Sequence, residues 1–305
     1  MPDQTAGDAG PEATELGPAW VSGSQSFNLV SNIVGQTFTI DVAPPPLASA
    51  PDRPLPVVFV LDGDHLFATV AQTARSLQLD RGGLPPMLIV GIGYRSSGAG
   101  GAKPPLGLRT RDLTPSHDAR YVAMMRAAPP PFTLPDYIEP GGAADFLAFI
   151  DDELTPFLAS RYRIDAEDRT ALGLSLGGLF ALHVLLTTPH AFRRYVALSP
   201  ALWWDDRLLL REEEAFAAAS QDLPAKVFMS VGALEEAEPS ARMVGNLEDL
   251  VASLKARSYS SLRLEYRIFE DESHLSVFPA AACRGLRRVF DRNTNAAEWA
   301  ALPAR

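Results

Sequence analysis

The sequence predicts an α/β fold: a mostly parallel central sheet, helices on both faces, and one long excursion over the top. Three observations carry this. Six short apolar runs recur along the chain, LPVVFVLD, MLIVGIGY, RTALGLS, RYVALSP, KVFMSVG and LEYRIFED. Helix-patterned segments separate them, and the strands are apolar on both faces, as strands covered on each side must be. With 305 residues, 47% of them hydrophobic and 21% charged, the chain can bury one sizeable core.

The elements follow in order. The opening MPDQTAGDAGPEATELGPAW is acidic and rich in Gly, Ala and Pro, so residues 1–25 read as a flexible segment and 26–305 as one domain. That opening has no basic start and no apolar stretch, which argues against a secretory signal. SFNLVSN and VGQTFTIDVAP alternate apolar and polar residues, the pattern of an antiparallel hairpin. PPPLASAPDRP is a polar turn. LFATVAQTARSLQ, AADFLAFIDDELTPFLASRY, GGLFALHVLLTT and ARMVGNLEDLVASLKAR read as helices, and AACRGLRRVF as an amphipathic one. Residues 95–142 break the rhythm with a Gly- and Pro-rich stretch whose centre, DLTPSHDARYVAMMR, predicts a short helix. A loop that long in a compact domain is usually functional, and a lid-like excursion is expected.

Charge and composition exclude several classes. With 27 basic and 37 acidic residues the net charge is −10, which disfavours nucleic acid and anionic membranes as partners. No run approaches the roughly 18–20 apolar residues of a membrane span. Cys283 is the only cysteine, so no internal disulfide or cysteine metal cluster is available. A cytoplasmic protein, monomer or homodimer, with no cofactor or metal and a small-molecule substrate, is the expectation.

The chemistry begins at Gly173-Leu174-Ser175-Leu176-Gly177, a G-x-S-x-G between a strand pattern and a helix pattern. In a nucleophile elbow the serine occupies a sharp strand-to-helix turn, and the glycines let backbone segments approach. The base must follow. His65 and His117 precede Ser175, His183 and His190 lie on or just past the elbow helix, and His274 follows the last strand run, so His274 is the candidate. For the acid, Glu235 follows KVFMSVG directly, with Glu236 and Asp205 as alternatives.

Asp62-Gly63-Asp64-His65 admits two readings. As a phosphatase signature, Asp62 would be the nucleophile and Asp64 the acid around a divalent metal. As a turn at a strand end, its backbone would supply half of an oxyanion hole, from Gly63 or Asp64, with Leu176 N–H as the other half and Asp62 accepting amide bonds. The second reading also uses the elbow and is favoured.

Taken together, VFVLDGDHLF, VGIGY, RTRDLTP, GLSLGG, LSPALWW, SVGALE and DESHLSV resemble the putative-esterase branch of α/β-hydrolases, which includes siderophore esterases, feruloyl esterases and mycolyltransferases. VGIGY with RTRDLTP is most similar to the siderophore-esterase side. The resemblance implies Ser175 as nucleophile, His274 as base and the Asp62 loop with Leu176 as oxyanion hole. It further implies Arg109 and Arg111 as contacts for an anionic or catecholate substrate; Trp203 and Trp204, after a strand at the catalytic end, would wall an aromatic acyl pocket. A serine esterase acting through an acyl-enzyme is the resulting expectation, with acyl transfer, metal-dependent phosphatase chemistry and a non-catalytic binding module as alternatives. An imidazole base ordinarily titrates near pH ~6.5, so activity should rise through that range.

Overall fold

A computed structural model describes residues 21–46, 53–80, 83–95, 105–130, 132–238 and 241–291. The expected flexible segment lies outside these up to residue 20. Residues 21–25 do not behave as its continuation: Val21 packs against the core and the first strand begins at Gln25.

The apolar runs become strands of one eight-stranded sheet. The strands are β1 Gln25–Ser31, β2 Gln36–Ala43, β3 Leu55–Val60, β4 Leu88–Gly93, β5 Ile164–Leu174, β6 Arg194–Leu198, β7 Lys226–Gly232 and β8 Arg263–Phe269. Their spatial order is β1-β2-β4-β3-β5-β6-β7-β8. β1 pairs with β2, and β2 with β4, antiparallel; every pairing from β4 to β8 is parallel. This is the sheet of an α/β-hydrolase fold.

Alternation along β3 shows how the sheet is buried. Val57, Phe59 and Leu61 face one core layer, while Val58 and Val60 face the other, as a period of two requires. On the second face lie α1 Gly63–Leu79 and α9 Phe278–Val289. Against the first lie α4 Ala143–Ala148, a π-helical turn Phe149–Leu154 and α5 Thr155–Ala159, which run on as one rod. α6 Leu176–Thr187, α7 Trp204–Ala219 and α8 Met243–Ala256 complete that layer. α6 is buried nearly all round, which is why its sequence shows no polar stripe.

Among the described residues, the excursion holds two short helices, α2 Pro105–Asp112 and α3 Ala119–Ala127. Only the second was legible, because Asp118 caps it through the Arg120 and Tyr121 amides. α2 opens on a proline, whose fixed φ suits a first helical turn. Residues 96–104 of the excursion lie outside the described residues. Among the described residues, no helix is long and apolar enough to cross a membrane.

Candidate active site

The parallel strands all end on one edge of the sheet, and the elbow is the sharpest feature there. Ser175 caps α6 with φ 60° and ψ −117°, a region that costs a non-glycine residue roughly 1–3 kcal/mol. Its N–H donates to Leu198 O at 2.9 Å, and its carbonyl accepts from Ala201 N–H at 3.2 Å, so neighbouring backbone holds the turn from both sides. Gly173 is required because a Cβ there would lie 2.4 Å from the Gly177 carbonyl carbon. Leu176 is the first residue of α6, so its N–H has no intrahelical acceptor.

Glu235 sits in a 3₁₀ turn, Ala233–Ala237, at the end of β7. Its side chain is 3% exposed and accepts three hydrogen bonds: from Ser199 Oγ at 2.6 Å, from Gly232 N–H at 2.8 Å and from His274 Nδ1 at 2.6 Å. Burial pushes the Glu235 carboxyl up, but the bonds from His274, Ser199 and the Gly232 amide outweigh it and hold the group below its ordinary value. Glu236 caps α8 by accepting from the Val244 and Gly245 amides, and Asp205 accepts from Ser116. Of the three carboxylates, Glu235 is therefore the one that meets His274. With Nδ1–H directed at the carboxylate, the ring's Nε2 is left as the acceptor. No hydrogen bond joins Ser175 Oγ to His274 among the described residues. The serine is linked to the pair through β6: Leu198 holds Ser175 N–H and Ser199 holds Glu235.

Aspartate and glycine of DGDH form the start of α1. Asp62 has left-handed φ 54° and ψ 43°. His65 N–H and Leu66 N–H donate to Asp62 O at 3.0 and 3.2 Å, so Gly63 and Asp64 keep the helix-end amides without acceptors. A Cβ on Gly63 would meet Gly91 backbone at 2.7 Å, so α1 lies directly on β4. The Asp62 carboxylate was expected to tie this turn through amides. It pairs instead with Arg109, Nε at 2.7 Å and Nη2 at 2.8 Å, a two-pronged contact across 47 residues. Burial works against the Arg109 charge, but Asp62 overcomes it and holds the guanidinium above its usual range. Asp64 accepts Tyr94 N–H at 2.6 Å and pairs with Arg95. Both carboxylates are thus committed to cationic or amide partners, which leaves the phosphatase reading without its ligands. Among the described residues no group of His, Cys, Asp and Glu is arranged to hold a metal.

The basic residues expected to meet substrate are engaged in the protein. Arg109 grips Asp62, and Arg111 grips Asp112 at 2.6 and 3.1 Å. The tryptophans divide. Trp204 is fully buried and donates to Ser116 Oγ at 3.2 Å, so it is core. Trp203 is half-buried beside Tyr121, ring centroids 5.9 Å apart. Asp205, Asp206 and Arg207 follow with three consecutive positive φ values, an abrupt reversal tied to α3 by Asp205 N–H donating to Asp118. Tyr121 and Ser116, from the excursion, pack against Trp203 and Trp204, a contact that only the fold shows.

A comparison with a protein-family model described as "Putative esterase" matches residues 131–274. The chain is 32% identical over 274 residues to a ferri-bacillibactin esterase of Bacillus subtilis, covering 88% of this chain and 89% of that one. It is 31% identical over 266 residues to a siderophore triacetylfusarinine C esterase of Aspergillus fumigatus, covering 78% and 82%. The crystal structure of the BES protein from Bacillus cereus superposes with a TM-score of 0.75 at 29% identity, covering 92% of this chain and 99% of that one.

Proposed function

The chain belongs to the putative-esterase family, and from that footing we propose that it is a serine carboxylic-ester hydrolase acting on siderophore-type esters. The observation that carries the reading is the hydrogen bond of buried Glu235 to half-buried His274 on the same sheet edge as the strained, partly exposed Ser175. Ser175 Oγ attacks the ester carbonyl carbon while its proton passes to His274 Nε2. The oxyanion that forms receives the Leu176 N–H and the free amides of Gly63 and Asp64. Collapse breaks the C–O bond, and the departing alcohol takes the proton from His274. Water then attacks the acyl-enzyme, giving its proton to His274, and the acid leaves as that proton returns to Ser175 Oγ. Substrate-free enzymes often hold the serine–base contact long and tighten it on binding, which accommodates the missing bond.

The names of the relatives set the first assay: release of free acid from ferri-bacillibactin and from triacetylfusarinine C, followed by mass spectrometry, with a simple p-nitrophenyl ester alongside. Turnover of a siderophore ester supports the full reading. Turnover of the simple ester alone removes the substrate half. Adding an acceptor alcohol distinguishes hydrolysis, with free acid as the product, from acyl transfer.

Two smaller effects follow from the site's supports. Glu235→Gln keeps the shape but loses the charge facing His274; kcat is expected to fall by roughly 10²–10⁴. The same change bears on stability. Because the Glu235 carboxyl is held below its ordinary value, its contribution is fully present above the unfolded carboxylate pKa of about 4.3 and is lost as pH falls through the lower folded value. Thermal melts should therefore show a gap between wild type and Glu235→Gln at about pH 5 that closes as pH falls through the lower folded value. A gap that persists undiminished at the acid end contradicts the assignment. Arg109→Lys replaces a two-pronged grip with a point charge. It is expected to lower kcat up to roughly 10²-fold with KM little changed, since it loosens the backbone that presents the oxyanion donors. A rise in KM alone would instead make Arg109 a substrate contact.

A further inference from the structure

At the opposite end of the sheet, the amino-terminal ends of β6, β7 and β8 carry Arg194, Lys226 and Arg263, which are register partners across three adjacent parallel strands. Register partners project from the same face of a sheet, and neighbouring strands lie only about 4.8 Å apart. Like charges directly opposite repel, and in this row Arg194 and Lys226 are each offset by an aspartate, leaving Arg263 without one among the described residues. The row lines a cleft of about 420 Å³ together with Arg193, Pro224, Ala225 and Ser261. Among the described residues no carboxylate lines it, in a chain whose net charge is −10; Glu265 and Asp291 line the adjoining cleft that shares Lys226 and Arg263. Asp168 holds Arg194 from one side and Asp291 holds Lys226 from another, which fixes both cations in place. Asp222 is occupied by the Ser261 amide. Arg193 and Arg263 are exposed and form no ion pair among the described residues.

We propose that this cleft is a binding site for a small multivalent oxyanion, a compound bearing two adjacent phosphate or carboxylate groups. Adjacent anionic groups match a row of cations at strand spacing, and guanidinium forks grip such oxygens in pairs. The volume lies in the range of small-ligand sites. The cleft is remote from the proposed chemistry: seven-residue β7 separates it from Glu235, a span of roughly 23 Å at about 3.3 Å per residue. An anion bound here does not touch Ser175.

The test uses pyrophosphate and a tricarboxylate as probes, with inorganic phosphate and chloride at matched ionic strength as controls, on wild type, Arg263→Gln and Arg193→Gln/Arg263→Gln. In wild type, pyrophosphate or the tricarboxylate should raise the melting temperature more than either control, as any ligand selective for the folded state does. Calorimetric affinity should fall at least about 10-fold in Arg263→Gln and further in the double variant. Whichever of the two probes binds more tightly identifies the anion type. Equal shifts by chloride and pyrophosphate, or equal affinity in wild type and the double variant, overturn the site. Hydrolysis of a p-nitrophenyl ester should be unchanged in both variants, and Ser175→Ala should bind the probe as wild type does, so failure here and failure of the esterase reading are separable.

Discussion

Ser175→Ala is expected to hydrolyse a short p-nitrophenyl ester at least about 10⁴-fold more slowly than wild type, with EDTA leaving both rates unchanged. The magnitude follows from removing the attacking atom while keeping the oxyanion donors, whose residual catalysis sets the floor. The structure makes the substitution a clean one. Ser175 is placed by its backbone, through Leu198 O and Ala201 N–H, and its hydroxyl makes no hydrogen bond among the described residues. The variant should therefore fold and melt close to wild type. Full activity in Ser175→Ala, abolished by EDTA, would return attention to Asp62 and Asp64 as metal ligands.

His274→Gln is expected to cost nearly as much as loss of the serine, and the double variant Ser175→Ala/His274→Gln should be no slower than the worse single one. Residues that act as one unit lose their joint effect at the first removal. Two independent contributors would instead multiply their losses, so additivity would contradict the shared step. Two other histidines pair with glutamates: His117 with Glu139 in the excursion, and His183 with Glu212 on α7, away from the strand ends. His183→Gln is the internal control and should leave activity within a few-fold of wild type, as a substitution away from the site does.

Much of the fold was legible because each strand is a short apolar run with its own punctuation and each helix a separate period. α2 was not, since PLGLRTRD is short, polar and held by tertiary contacts such as Arg109 with Asp62. The candidate site divides the same way. Chain order isolates Ser175 and His274, because only one histidine follows the last strand. It does not separate Glu235, Glu236 and Asp205, since all three follow strands and differ only in burial and partner. The Arg109–Asp62 pair spans 47 residues and leaves no local trace, so the arginine reads as a substrate contact and the aspartate as a turn cap. Trp203 and Trp204 are adjacent, and only packing shows that the second is core. The cationic row at the far end depends on strand register, which no single strand reveals.

The most direct measurement is covalent labelling with a fluorophosphonate, followed by mass spectrometry of the digested protein. Its phosphorus accepts an activated serine oxygen as fluoride departs, and unactivated serines do not react on that timescale. A single adduct on Ser175, slowed sharply in His274→Gln and absent in Ser175→Ala, is the predicted result. Labelling of another residue, or none in an enzyme that turns over ester, would contradict Ser175 as the nucleophile.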